Sequence, residues 1–142
     1  MQLVGPIDVE DALRSDVEEL VPELAGPDGT AHEVSHLAPP APDDLAPYTV
    51  CYTTLGGTAQ TMASHEHSVS VDAWAPTEAE AVRLADAVCG AVATLPMRAP
   101  SSSREYKTAD VNLPYVNPDP LRPTLPRATF VASVGVRGER AL

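Results

Sequence analysis

The chain has 142 residues, 44% of them hydrophobic and only 4% aromatic, with 15 prolines and a formal charge of −11 at pH 7. That length supports one core, built mainly from Val, Leu and Ala, and the acidic balance excludes nucleic-acid binding by phosphate neutralisation, which needs clustered Lys and Arg. No apolar run approaches the roughly 20 residues of a bilayer crossing, and MQLVGPIDVED lacks a basic n-region and an apolar stretch, so a cytosolic product is expected.

A helix is predicted from about Asp8 into the early twenties. Val9, Leu13, Val17, Leu20 and Leu24 recur at helical spacing and form one stripe, Asp8 can cap it, and Pro22 breaks or kinks it. Gly26-Pro27-Asp28-Gly29 reads as a turn, AHEVSHL as a short edge strand, and 38–47 as an extended Pro-rich connection. Tyr48 to Thr54 is β-rich and reads as a strand ending at Leu55-Gly56-Gly57, which is taken as its turn. In the next strand, from about His65 to Trp74, His67, Val69, Val71 and Ala73 share one face while Ser68, Ser70, Asp72 and Trp74 share the other. That alternation describes a sheet covered on one side, and the two strands predict an antiparallel hairpin.

Thr77 and Glu80 match a capping box that opens a helix running to about Leu95, with Ala81, Leu84, Ala85, Val88, Val92 and Leu95 as its buried stripe. Pro96 stops it, and a long loop occupies 96–107. A strand near Ala109 to Tyr115, the turn PDPLRPTLP and a last strand from Arg127 to Arg137 complete the order. The economical architecture is a single α+β domain over 1–142: a mostly antiparallel sheet of four to five strands with two helices packed on one face.

The charge is segregated. Through Asp44 there are eleven acids against one base, Arg14, whereas from Arg98 onward there are seven bases against four acids. Cys51 and Cys89 have no CxxC or His-spaced partner and read as reduced packing thiols. His65 and His67, on one strand face, could bind a metal with Cys51 or Glu66, but no second ligand pair stands at recognisable spacing. Ser101-Ser102-Ser103 lacks a nucleophile elbow, and Trp74-Ala75-Pro76-Thr77 lacks the glycines that let an anion approach a helix N-terminus. No acid pair, nucleophile or cofactor box emerges, so the chain reads as a non-enzyme without cofactor or metal.

The run HEHSVSVDAWAPTEAEAVRLADAVCGAVATLP, together with DVEDALRSDVEEL, PYTVCYTT, LGGT and PRATFVASVGVRG in this order, resembles the tail terminator (tail completion, head-tail joining) proteins of long-tailed phages. The resemblance implies a small α+β subunit that forms a hexameric ring at the head-proximal end of the tail tube. Such a ring stops tube growth and meets the head-completion protein while DNA passes through, so the subunit belongs to the virion neck after assembly in the host cytoplasm. Within that frame Arg98, Arg104, Lys107, Arg122 and Arg127 are candidate contacts with neighbouring subunits or the tube. Asp8, Asp11, Glu18 and Glu19 are candidates for an acidic lumen or interface that lets DNA slide without sticking. The alternatives are another neck adaptor, or a cytosolic α+β module that binds a ligand or metal around His65, His67 and Cys51.

Overall fold

Alternation of apolar and polar residues over 64–74 and 127–137, departed from at Trp74 and Val131, produces the two central strands. The computed structural model describes residues 3–4, 9–20, 33–35, 48–59, 64–97, 105–137 and 140–141. In chain order the strands are β1 (Leu3–Val4), β2 (Glu33–Ser35), β3 (Thr49–Ala59), β4 (Ser64–Trp74), β5 (Glu105–Val111), β6 (Tyr115–Val116), β7 (Arg127–Arg137) and β8 (Arg140–Ala141). Helix α1 spans Val9–Leu20, and α2 spans Glu78–Thr94 and runs on into a 3-10 turn at Leu95–Met97.

The main sheet is six-stranded, in the order β2-β3-β4-β7-β5, with β6 also paired to β7; a separate two-stranded ribbon joins β1 to β8. Strand β4 pairs with β7 antiparallel without interruption from Ser64↔Arg137 to Trp74↔Arg127. The expected hairpin is present as the antiparallel β3–β4 pair. The expected AHEVSHL edge strand is β2, which lies parallel to β3, the one departure from antiparallel pairing in this sheet.

Three boundaries differ from expectation. Strand β3 does not end at Leu55-Gly56-Gly57: a register shift between Thr54 and Gly56 makes Leu55 an extra residue, and the glycines stay in the ladder opposite Ser68 and His67. Glycine lowers β-propensity, but it tolerates the backbone kink of a bulge, so here it marks a bend in the strand. Strand β5 starts at Glu105, earlier than expected, and a second bulge at Lys107 separates Tyr106 from Thr108. The expected Ala109–Tyr115 strand therefore divides into β5 and β6, both paired to β7.

Both helices pack on one face of the sheet. Leu13 and Val17 of α1 join Ala81, Leu84, Ala85, Val88, Val92 and Leu95 of α2, and together they meet Val50, Tyr52, Val69, Val71, Phe130, Val134 and Val136 of the strands in one core cluster. Each large side chain buried there contributes about 1.5–3 kcal/mol. Alanines at 73, 128 and 132 of the strands and at 81, 85 and 91 of α2 belong to the same cluster, where their small side chains let helix and sheet approach closely. At the β5–β7 pair the strands approach closely: a Cβ on Gly135 would lie 2.6 Å from Thr108 Oγ1, so that hydroxyl would have to turn away. No helix among the described residues is long and apolar enough to cross a membrane.

Candidate assembly surface

The strand-to-helix junction at residues 74–77 is a covered corner of the fold. The Thr77 hydroxyl accepts from the Glu80 amide at 3.2 Å, closing the first turn of α2, and the Ala75 amide donates to the Pro126 carbonyl at 3.2 Å. These backbone donors are occupied by the chain itself.

The outer sheet face is open along Ser68 and Ser70, but at Trp74 it is not: the indole is fully buried, although parity places it on the outward side. The cover is the segment between β6 and β7. Asp119 brings it down, accepting from Trp74 Nε1 at 3.2 Å, from Arg122 Nη1 at 2.8 Å and, through Oδ1, from the Leu121 amide at 3.0 Å. Arg127 Nη1 lies 3.9 Å from the same carboxylate. The guanidinium carbons of Arg122 and Arg127 stand 5.7 and 5.9 Å from the Trp74 ring centroid, so the indole π-face meets two cations while its N–H meets the anion. Burial acts to raise the Asp119 pKa, but the bonds from Arg122, the Leu121 amide and Trp74, with the charge of Arg127, outweigh it and hold the carboxyl below its ordinary value.

Further bonds pin the same backbone. Arg127 Nε donates to the Asn117 carbonyl at 2.8 Å, and Asn117 Nδ2 donates to Thr129 Oγ1 at 3.1 Å, which in turn donates to Asp72 Oδ1 at 2.6 Å. The Val131 amide donates to Asn112 Oδ1 at 2.7 Å. On this fixed frame the apolar side chains point outward: Leu113, Tyr115, Val116 and Leu121 are four of the six exposed large hydrophobics among the described residues. Beside them a cavity of about 210 Å³ is lined by Val116, Pro118, Pro123, Leu125 and Pro126, with Glu78, Asp119, Arg122 and Arg127 at its polar parts.

The candidate residues read from the sequence are distributed as follows. Lys107 is exposed at the β5 bulge. Arg122 is only 6% exposed and Arg127 is half-buried, both in the cluster around Trp74 and Asp119. Glu18 and Glu19 are exposed on α1, with Glu18 3.7 Å from Arg14, and Asp11 lies in the first turns of that helix. Asp8, Arg98 and Arg104 lie outside the described residues, as do the three serines at 101–103 and the turn at 26–29.

The histidine reading fails to assemble a metal centre with Cys51 or Glu66. His65 and His67 pair across to Val136 and Val134, on the core face, and their rings are 6.2 Å apart. Cys51 pairs with Asp72 on the opposite face, where Glu66 accepts from the Ser133 hydroxyl at 2.7 Å. The sheet itself separates the proposed ligands. Among the described residues no three His, Cys, Asp or Glu side chains converge.

Sequence reasoning missed the Trp74–Asp119 clamp and the apolar strip. The signal was present: VNLPYVNPDPLRPTLP carries only one acid and one base, three apart, in a chain that is otherwise 20% charged.

No protein-family profile matches the chain, and no curated protein matches it significantly. Among solved structures, a chain of the virion of a native gene transfer agent particle is similar with a TM-score of 0.60 and 20% identity, over 94% of this chain and 100% of that one. The likeness is one of fold.

Proposed function

We propose that the chain is a structural subunit of a phage-like virion, a tail terminator that forms a ring, with six copies as the expected number, at the head-proximal end of the tail tube. The observation that carries this reading is the fold shared, over 94% of this chain and 100% of the other, with a component of a gene transfer agent virion. The geometry supports it: charged side chains near the cavity beside Val116 are engaged in holding a loop, and the adjoining surface presents apolar residues to solvent. In this role the ring halts tube polymerisation and joins the tube protein to a head-completion protein, while DNA passes an acidic lumen to which Asp8, Asp11, Glu18 and Glu19 contribute. Exposed Lys107 serves a contact between subunits or with the tube, as do Arg98 and Arg104.

Native mass measurement of the purified protein, followed by its addition to growing tail tubes, tests the reading. A closed ring that caps tubes at constant length is expected. A ring that binds only the portal side makes the protein a neck adaptor, and a monomer carrying a stoichiometric ion or small molecule refutes the structural role.

A further inference from the structure

From Val111 to Pro126 the only charged residues are Asp119 and Arg122. Both are buried, at 5% and 6% exposure, and they neutralise one another at 2.8 Å. A sixteen-residue stretch of a chain carrying −11 therefore shows solvent no charge, while Leu113 and Leu121 stand 85% and 71% exposed. The backbone beneath them is fixed by the Trp74, Asn112, Asn117 and Arg127 bonds, so docking there need not order a loop. Tyr115 and Val116 lie at the sheet margin formed by β5 and β6, beyond which no described strand pairs, Leu113 stands between those two strands, and Leu121 stands on the adjoining segment that covers Trp74.

We infer that this strip is the contact surface for a second copy of the same chain, received head to tail against the β2 and α1 side of its neighbour. The inference rests on the ring reading and names the surface that closes the ring. Three observations select this occupant. Two chains of charge −11 repel, and an uncharged apolar strip is where they approach at least Coulomb cost. Both margins of the sheet are open: no described strand pairs beyond β2 at one side or beyond β5 and β6 at the other, so a second copy offers the edge each one lacks. Strand direction also agrees. β2 runs parallel to β3, β3 and β7 are each antiparallel to β4, and β5 is antiparallel to β7, so β5 of one copy meets β2 of the next as an antiparallel neighbour. The contact joins two different margins of the sheet, so it is heterologous, the kind that closes into a ring when the rotation between copies closes.

The test uses the full chain carrying Leu113→Asp and Leu121→Asp together. Both side chains are in solvent, so Trp74 fluorescence should match wild type while the dissociation constant between subunits rises at least about thirtyfold by sedimentation equilibrium. In a second measurement, Val116→Cys and Glu33→Cys proteins are mixed with a short thiol crosslinker; covalent dimers should form only in the mixture. Crosslinking of Val116→Cys protein with itself overturns the head-to-tail contact in favour of a two-fold one. A wild-type ring that survives the double substitution overturns this inference and leaves the ring reading standing, including the case in which the variant ring loses only its grip on another virion protein. A wild-type protein that stays monomeric at every concentration overturns both.

Discussion

Replacing Asp119 by Asn isolates the clamp, because the shape is nearly conserved and the charge is removed. The carboxylate is 5% exposed and accepts from Trp74 Nε1, Arg122 Nη1 and the Leu121 amide at 3.2, 2.8 and 3.0 Å. An amide keeps one acceptor and turns a donor towards Arg122. The lost charge-assisted bond is worth about 1.5–3 kcal/mol, and the Arg122 guanidinium, itself buried, loses its counter-ion. The expected loss of stability is about 3 kcal/mol, or a melting midpoint lower by about 10 °C for a chain of this size. Urea unfolding followed by fluorescence reads it directly, since Trp74 is the only tryptophan. Combining the change with Arg122→Met should recover part of the loss, because an apolar pair of similar volume replaces a broken ionic one; a coupling of at least about 1 kcal/mol is expected.

The pH dependence gives an independent check on the same group. The Asp119 pKa is held down in the folded state, so its contribution is fully present above the unfolded carboxyl value of about 4 and is lost as pH falls through the folded value. The gap between wild type and Asp119→Asn should accordingly narrow in acid. A loss under about 0.5 kcal/mol, constant with pH, would refute the assignment of Asp119 as the anchor of this segment.

Two further outcomes are expected. The Tyr52 hydroxyl is buried without a hydrogen-bond partner, and burial, together with the charge of Glu18, raises its pKa; Tyr52→Phe should therefore be neutral or stabilising by about 1 kcal/mol, and a clear loss in urea unfolding would show that the hydroxyl is used. His67 has its pKa lowered by burial and then by His65, so its contribution to stability is present above the unfolded value of about 6.5 and is lost as pH falls through the folded value; His67→Asn should flatten that part of the stability–pH curve, and an unchanged slope would place the titration elsewhere.

The α+β class, the β3–β4 hairpin and the whole buried stripe of α2 were legible in the sequence because they depend on local periodicity, which a single chain displays in full. The stripe at Ala81, Leu84, Ala85, Val88, Val92 and Leu95 is buried as spaced. What was not legible depends on pairing over long separations. Asp119 and Trp74 are 45 residues apart, and no periodicity connects an indole at the end of one strand to a carboxylate in a Pro-rich turn. The bulges at Leu55 and Lys107 were missed for a related reason: each is a mismatch in length between two strands, visible only when the partner's register is known. Arg122 and Arg127 read as surface cations because isolated basic residues usually are; here the buried aromatic face and Asp119 give them interior partners.

The segment from Val111 to Pro126 inverts the usual partition, with its acid and base inside and its leucines outside. For an isolated chain that arrangement forgoes stabilisation, since burying a leucine contributes about 1.5–3 kcal/mol. It becomes favourable when a second surface covers the leucines, and the clamp improves that exchange. Ordering a residue's backbone costs about 1–2 kcal/mol, and here that cost has been met during folding by bonds to Trp74, Arg127 and Asn112, so more of the burial survives as affinity. Stability and association are thereby coupled in one direction. On the proposed contact, loosening the clamp at Asp119 should weaken both the fold and the association, whereas charging Leu121 should weaken the association and leave the fold as it is.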